Sequence, residues 1–165
     1  MSSILTTLGL RAAPGAQVPN HAATLLIANW VWAYALMSTR GTKMRLGIDN
    51  NVAPRENLAT LGEAAVKAGK IDRRTLNKLK RREAAHANAV EGYTLFVAAI
   101  LTALYAGLPA ETINKIGVWY SLSRVAYSLC YTHIEDKSLS YLRSVTWWSG
   151  NISCITALVL AGKKL

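Results

Sequence analysis

The chain has 165 residues, 52% of them hydrophobic, and a formal net charge of +10. Nucleic-acid binding would be one explanation for such a charge, but 12 of the 19 basic residues lie between positions 40 and 82, in one segment between apolar runs. A concentrated basic loop beside apolar runs is typical of the cytoplasmic side of a membrane. We therefore predict a lipid bilayer, and no nucleic acid, as the environment of this protein.

Four apolar runs have the length of membrane-spanning helices, at about 21–39, 84–107, 112–132 and 143–162. A helix of about 20 residues crosses the roughly 30 Å hydrocarbon layer. Aromatic side chains, which favour membrane interfaces, lie near the ends of the runs: Trp30, Trp32, Trp119, Tyr120, Tyr131, Tyr141, Trp147 and Trp148. These features predict an all-α, integral membrane four-helix bundle that forms a single domain.

The segment at about 40–80 joins the first two predicted spans. Asn50-Asn51 and Pro54 mark a turn, and residues 56–68 have the spacing of a short helix that Gly69 ends. The next helix is expected to start near Arg73, outside the membrane. The positive-inside rule places this basic loop in the cytosol and both termini on the opposite side.

Polar side chains interrupt three of the spans, where charged groups are costly and mark functional sites. Spacings of three, four and seven residues place side chains on one helix face. The polar positions are Asn88 and Glu91 in the second span, Arg124, Tyr127 and Tyr131 in the third, and Arg143 and Ser144 at the start of the fourth. Because successive spans run in opposite directions, all three sets are expected near the cytosolic face.

Glu91 and Arg124 each lie nine residues from a span border, about 13 Å into the membrane. We predict a Glu91–Arg124 ion pair, either as structural glue between helices or as part of a site. Arg143 with Tyr127 and Tyr131 suits an anionic ligand, since arginine offers forked donors. The ring of His86 is interpreted as a packing group, with a role as ligand or base as the alternative. Histidines and cysteines lack metal-ligand spacing, so no metal site is predicted.

The residues 81–91, RREAAHANAVE, fit an R-x-x-x-A-H-x-N-x-x-E pattern that resembles the second helix of the MAPEG family. These are membrane-associated proteins in eicosanoid and glutathione metabolism. Arg124, Tyr127 and Tyr131 are similar to the family's R-x-x-H/Y-x-x-x-Y pattern in the third helix. Residues 142–146, LRSVT, resemble the start of the fourth helix in its microsomal prostaglandin E synthase branch.

This resemblance implies a homotrimer of left-handed, up-down four-helix subunits in the endoplasmic reticulum. It implies glutathione as cofactor, bound between neighbouring subunits near the cytosolic face, and a lipophilic substrate. The implied glutathione contacts are Arg45, Asn88, Glu91, Tyr127, Tyr131, Arg143 and Ser144. Arg143 would stabilise the thiolate, the nucleophilic form of a thiol, and Ser144 and Glu91 would complete the catalytic set.

Three function hypotheses follow. The first is a glutathione-dependent transferase, peroxidase or isomerase. The second is a glutathione-independent membrane isomerase or cyclase that uses Glu91, His86 or a tyrosine as acid or base. It is motivated by Ala84 and Ala87, which stand where the family has arginines. The third is a non-enzymatic membrane scaffold.

Overall fold

The structure is a computed structural model that describes residues 3–12 and 15–165, and its regular elements there are all helical. In chain order they are α1 (Ile4–Thr7), α2 (Ala22–Trp30), a π-helical segment (Val31–Leu36), α3 (Arg40–Arg45), α4 (Leu61–Lys67), α5 (Arg73–Tyr105), α6 (Ala110–His133) and α7 (Tyr141–Gly162). The all-α fold class predicted from the apolar runs is confirmed for this part of the chain.

Three helical stretches are long and apolar enough to cross a membrane, namely Ala22–Arg45, Arg73–Tyr105 and Tyr141–Gly162. Helix α6, which contains the third predicted span, is not among them. Its 24 residues include charged side chains as well as many hydroxyl and amide groups, and these polar groups lower its mean hydropathy. The apolar criterion therefore supports three of the four predicted spans.

Helix α5 is the longest element, with 33 residues, and its start agrees with the predicted position near Arg73. The carboxylate of Asp72 caps it by accepting a hydrogen bond from the Thr75 backbone N–H, which satisfies one of the free donors of a helix start. At the other end Gly107 has φ +62°, a conformation that glycine adopts without strain. A short connection follows, and Pro109 directly precedes the first residue of α6, so α5 and α6 form an antiparallel hairpin.

The main core lies between α5, α6 and α7, with α2 packed against it. The rings of Phe96 and Tyr120 stack at its centre, with centroids 4.2 Å apart. Small residues line the helix contacts, among them Ala99, Ala103, Ala157 and Ala161. Small side chains let helix backbones approach closely, which is the usual basis of packing inside membranes.

The basic segment forms a second, smaller core. Residues 40–80, called the cap below, bury Ile48, Leu58, Ala65, Leu76 and Leu79 against one another. The short helix predicted at 56–68 is α4, and Gly69 follows it with φ +68°. The segment predicted as a loop is thus largely folded. Its apolar residues are too few to form a membrane span, but they are enough to pack α4 against the start of α5.

A buried lysine ties the cap to α5. The Lys43 side chain is only 4% exposed, and its Nζ lies 3.0 Å from Glu83 Oε1 and 2.8 Å from the Pro54 carbonyl oxygen. A buried charge is tolerated when it is paired and hydrogen-bonded. The Lys43–Glu83 contact therefore fixes the position of the cap over the end of the bundle.

Candidate functional site

Three of the predicted site residues meet where α6 ends and α7 begins. The guanidinium carbon of Arg143 lies 4.4 Å from the centroid of the Tyr131 ring, above its face. The Tyr131 ring meets the Tyr127 ring edge to face, with centroids 5.6 Å apart. Tyr127 and Tyr131 are four residues apart on α6, so helix geometry alone brings them together. The short connection from residue 134 to 140 then returns the chain so that Arg143 reaches Tyr131.

Stacking holds Arg143 in place without using its N–H groups. Within the part of the chain that the structure describes, Arg143 takes part in no ion pair and its side chain makes no hydrogen bond. A guanidinium that lies on an aromatic face keeps its planar fork of donors available for a carboxylate or thiolate. The side chain is half-buried, so these donors are partly shielded from water but remain accessible.

The α5 residues of the predicted site point away from the bundle core. Asn88 is half-buried, and its Nδ2 donates to the Ala84 carbonyl oxygen at 3.0 Å, within its own helix. Glu91 is exposed. No hydrogen bond or ion pair among the described residues joins Glu91 to the stacked cluster. Asn88, one turn before Glu91, shares its helix face.

Ser144 and Arg45 are both exposed. Ser144 follows Arg143 at the mouth of the groove described below. Arg45 ends α3 in the cap, and its side chain forms no hydrogen bond or ion pair with the described residues. No hydrogen bond or ion pair among the described residues therefore joins Arg45 to the stacked cluster.

The predicted Glu91–Arg124 ion pair is not formed. Arg124 is 2% exposed, and its Nη2 donates to Asn151 Oδ1 on α7. The α5 residue that meets the guanidinium is Gly92, where an added Cβ would lie 2.7 Å from Arg124 Nη2. Glu91 is the preceding residue and points about 100° away around the helix. Arg124 thus meets α5 one residue from Glu91, but a shared level along the bundle does not determine which way a side chain points.

Asn151 is the residue that sequence reasoning missed. It is 6% exposed in the interior of α7, in a run with no formal charge. An asparagine in an otherwise apolar span is itself a signal, because a buried amide needs a hydrogen-bond partner. The sequence alone did not indicate that Arg124 would be the hydrogen-bond partner of Asn151.

The packing interpretation of His86 agrees with its contacts. Its Nδ1 lies 2.8 Å from the Ala33 carbonyl oxygen in the π-helical segment. A carbonyl oxygen only accepts, so Nδ1 carries the proton in this contact. The described residues contain no group of three or more histidine, cysteine or acidic side chains that could hold a metal ion.

An open groove of about 840 Å³ runs along α6 and α7 next to the stacked cluster. Its walls are mainly apolar and include Ile116, Trp119, Val145, Trp148 and Ile152. Ser144 lies in the same lining, one residue from the Arg143 guanidinium. The groove therefore brings a lipophilic surface to the edge of a cationic site.

Long apolar helices and polar residues clustered at one end of the bundle define an integral membrane protein of helical-bundle type. Comparison with protein families then identifies it further: the model of the MAPEG family matches residues 20–163. The chain belongs to the MAPEG family, membrane proteins of eicosanoid and glutathione metabolism. The family includes glutathione transferases and isomerases as well as non-enzymatic members. Comparisons with curated proteins and with solved structures find no significant match.

Proposed function

We propose that the protein is a glutathione-dependent membrane enzyme that acts on a lipophilic substrate. The observation that carries this proposal is Arg143, held on the face of Tyr131 with its Cζ 4.4 Å from the ring centroid. Its N–H groups are free for a ligand, as described above. Such a group suits an anionic, thiol-bearing ligand, because a half-buried guanidinium whose planar fork of donors has no protein partner matches a carboxylate or thiolate.

The chemistry assigned to this chain is activation of the thiol. A neighbouring guanidinium lowers the pKa of a thiol and so favours the thiolate, which is the nucleophile. Bound glutathione would supply a nucleophilic thiolate, with its proton released to solvent, for attack on an electrophilic carbon with loss of that carbon's leaving group, or on a peroxide with cleavage of the O–O bond. In this proposal Ser144, the residue after Arg143, would donate a hydrogen bond to the same sulfur, and Asn88 and Glu91 would contact the peptide part of glutathione.

The groove along α6 and α7 supports a lipophilic substrate. It is open along its length, and its walls are formed mainly by tryptophan, isoleucine and valine side chains that would face the bilayer. A membrane-dissolved molecule entering there would reach Ser144 without crossing water. The thiol and the electrophile would therefore approach the same point from opposite sides, one from water and one from lipid.

We assign α6 as the fourth membrane span. Its 24 residues extend about 36 Å, more than the roughly 30 Å hydrocarbon layer. Its polar residues are mostly turned inward, since Asn114, Ser123, Arg124, Ser128 and Thr132 are all buried. Its exposed side chains include Trp119, Leu122 and Leu129. Mean hydropathy understates the suitability of such a helix for lipid, because it counts residues that never meet lipid.

Exposed polar groups on α5 favour assembly into a homotrimer. Glu91 is exposed although it lies in the helix beyond the last basic residues of the cap. An ionisable side chain at such a depth normally faces a protein interior or an aqueous cavity rather than lipid. A neighbouring subunit packed on this face of α5 would shield Glu91 and complete a glutathione site between subunits.

The charge distribution supports a cytosolic position for the cap, in the endoplasmic reticulum membrane. Most of the basic residues belong to the cap and the adjoining start of α5, and short basic segments beside spans stay on the cytosolic side. The stacked cluster at the junction of α6 and α7 lies at the same end of the bundle as Arg81, whose Nη2 bonds Glu135 of that junction at 2.8 Å.

The direct test is glutathione titration of the purified protein in detergent, followed by calorimetry and by the ultraviolet absorbance of the thiolate. Wild type is expected to bind glutathione and to produce thiolate absorbance at neutral pH. Arg143→Gln should abolish the absorbance and weaken binding by about tenfold or more, as expected for loss of a charge-assisted contact. Arg74→Gln is the matched control, because Arg74 is 85% exposed in its side chain and outside the site.

Absence of glutathione binding to wild type at millimolar concentration would refute the proposal, as would thiolate absorbance that survives in Arg143→Gln. If wild type neither binds glutathione nor turns over a lipophilic substrate, while the fold stays intact, the scaffold hypothesis replaces it.

The exposed Glu91 carboxylate favours a second candidate, a thiol-independent isomerase or cyclase. Glu91 forms no ion pair with the described residues, and an unpaired carboxylate can accept or donate a proton as a general base or acid. Activity on a membrane-soluble substrate without any thiol, lost in Glu91→Gln and retained in Glu111→Gln, would support this candidate. Strict dependence on a thiol would exclude it.

A further inference from the structure

The residues before the first apolar stretch pack against the end of the bundle opposite the cap. They are residues 3–12 and 15–21, called the N-terminal strap below, and they include α1. The stretch Ala22–Arg45 begins where the strap ends and runs to the cap, so the strap lies at the other membrane face. Most of the strap precedes residues 20–163, the part that matches the family model, and the family match therefore does not account for it.

One buried side chain, that of Asn114 in the second turn of α6, holds the strap in place. Asn114 is fully buried, and its Oδ1 accepts a hydrogen bond from the His21 backbone N–H at 2.9 Å. Its Nδ2 donates to the carbonyl oxygens of Gly9 at 3.0 Å and Pro19 at 2.8 Å. The His21 ring adds a further contact, with Nε2 3.1 Å from the Thr7 carbonyl oxygen. A buried amide with all these partners fixes the strap on α6.

These contacts place α1 at the level of the bilayer interface. Thr7 is the last residue of α1 and contacts the His21 ring. His21 directly precedes Ala22, the first residue of a stretch that is long and apolar enough to cross a membrane. Helix α1 therefore lies where the first span enters the bilayer.

The outer face of α1 is apolar and uncovered. Ile4 is 77% exposed, Leu5 47% and Leu8, the C-cap residue, 42%. Their spacing places the three side chains on one side of a helical turn, and Thr6 on the other side is half-buried. Large apolar side chains that are grouped and exposed in this way mark a surface that binds a membrane or a protein.

The surroundings of this face are those of a membrane interface. Ile27, in the second turn of the adjoining α2, is 65% exposed, so the surface next to α1 is one that faces lipid. Tyr105 ends α5 at the same end of the bundle and is 82% exposed, and tyrosine favours membrane interfaces. Arg11 of the strap is also exposed. A cation beside apolar side chains suits the level of the lipid phosphates.

We propose that Ile4, Leu5 and Leu8 insert into the lipid leaflet opposite the cap, so that the strap anchors this end of the bundle in the membrane interface. Insertion removes apolar side chains from water, which is favourable. The strap can lie against lipid because Asn114 binds its backbone groups, which would be costly to leave without partners there.

Spin labels that report depth test this proposal in liposomes of phosphatidylcholine and phosphatidylethanolamine. In a background with Cys130→Ala and Cys154→Ala, a label is attached at Leu5→Cys or at Gln17→Cys, an exposed polar position of the same strap. The label at Leu5→Cys should collide readily with oxygen, which concentrates in lipid, and should be shielded severalfold from a water-soluble nickel complex. The label at Gln17→Cys should show the reverse preference.

A second variant tests whether Asn114 holds the anchor. Asn114→Ala removes the three hydrogen bonds to the strap backbone. The label at Leu5→Cys should then become more mobile and more accessible to nickel. Asn77→Ala, at an exposed position of α5, is the matched control and should leave the label unchanged. If Asn114→Ala fails to fold, the comparison of Leu5→Cys with Gln17→Cys decides the question.

Two results would overturn the proposal. A label at Leu5→Cys that is as accessible to nickel as the one at Gln17→Cys would show that α1 faces water. A label shielded from both nickel and oxygen would show that protein, for instance a second copy of this chain, covers the apolar face. No measurement involves glutathione, so the outcome is independent of the proposed enzymatic activity.

Discussion

Two arginines of this protein illustrate how burial determines the role of a charged side chain. Arg124 is buried and bonded to Asn151, so it belongs to the interior of the bundle. Arg143 is half-buried and rests on Tyr131, so its donors remain available to a ligand. Both were identified from the sequence as arginines in apolar surroundings. Their partners distinguish their roles. Arg124, bonded to the Asn151 amide, is the structural residue, and Arg143, stacked on the Tyr131 ring, is the candidate catalytic one.

Gly92 is the residue that makes room for Arg124, and we predict that Gly92→Ala destabilises the fold. Alanine favours helices over glycine, but here its Cβ would lie 2.7 Å from Arg124 Nη2 and 2.9 Å from Cζ. Because Arg124 is held by Asn151, it cannot move away freely, and overpacking of this kind costs about 1–3 kcal/mol. Thermal or denaturant unfolding in detergent measures the change.

Gly41→Ala is the matched control, since an added Cβ at Gly41 in α3 meets nothing within 4 Å. That variant should be neutral or slightly more stable. Equal effects of the two substitutions would contradict the close approach of Gly92 to Arg124.

Asn151 provides a second test at this scale. Replacing it by leucine removes the acceptor of Arg124 Nη2 and leaves a further buried donor without a partner. We expect a loss of stability of about 1–3 kcal/mol, measured by the same unfolding assay. Ile155→Val on the exposed side of α7 is the control and should change stability little; a comparable loss there would argue against a specific role for Asn151.

At the scale of elements, the cap shows how a segment that is too polar for the membrane folds on its own core. Helix α4 packs Ala65 against Leu76 and Leu79 of α5, and Glu63 of α4 reaches two basic residues of α5. Its Oε1 lies 2.6 Å from Lys80 Nζ, and its Oε2 lies 2.7 Å from Arg73 Nη1. The apolar contacts hold α4 in place, and the ion pairs orient it.

The Glu63 contacts predict that the cap loosens in acid. Hydrogen bonds from Lys80 and then Arg73 lower the pKa of Glu63 below its usual 4.5. A carboxyl with a lowered folded pKa stabilises the fold above its unfolded pKa, and this contribution is lost as pH falls from about 4.5 through the folded value. A Thr75 backbone hydrogen bond lowers the pKa of Asp72 in the same sense. Amide hydrogen exchange in α4 should accelerate over this range.

Glu63→Gln should remove most of that pH dependence, while Glu56→Gln, an exposed residue of the preceding turn, should preserve it. Exchange in α4 that is independent of pH in wild type, after correction for intrinsic rates, would show that the ion pairs do not hold α4.

At the scale of the whole molecule, the bundle places its polar groups inside and at one end. Helix α6, the long helix that lacks an apolar stretch of span length, packs against both α5 and α7, so its buried amides and hydroxyls meet protein rather than lipid. If α6 is the fourth span proposed above, this arrangement keeps the polar groups of a helix of modest hydropathy away from lipid. Most of the basic residues lie at the cap end of the bundle.

Cysteine labelling tests whether α6 crosses the membrane. In a background where Cys130 and Cys154 are replaced by alanine, Val52→Cys in the cap and Lys137→Cys between α6 and α7 should react with an impermeant reagent from the same side. Tyr105→Cys, at the exposed end of α5, should react only from the other side. Labelling of Tyr105→Cys and Lys137→Cys from one side would refute a spanning α6.

Sequence patterns alone determined that the chain is helical and apolar and where α5 begins, and they predicted that its polar exceptions lie towards one end. These are properties of hydrophobicity and spacing along a single chain. Only the tertiary structure decided that Arg124 meets Gly92 and Asn151 rather than Glu91, that Arg143 stacks on Tyr131, and that the basic segment has its own core. Periodicity fixes which residues share a face of one helix, but the rotation of each helix against its neighbours depends on packing, which no single stretch of sequence encodes.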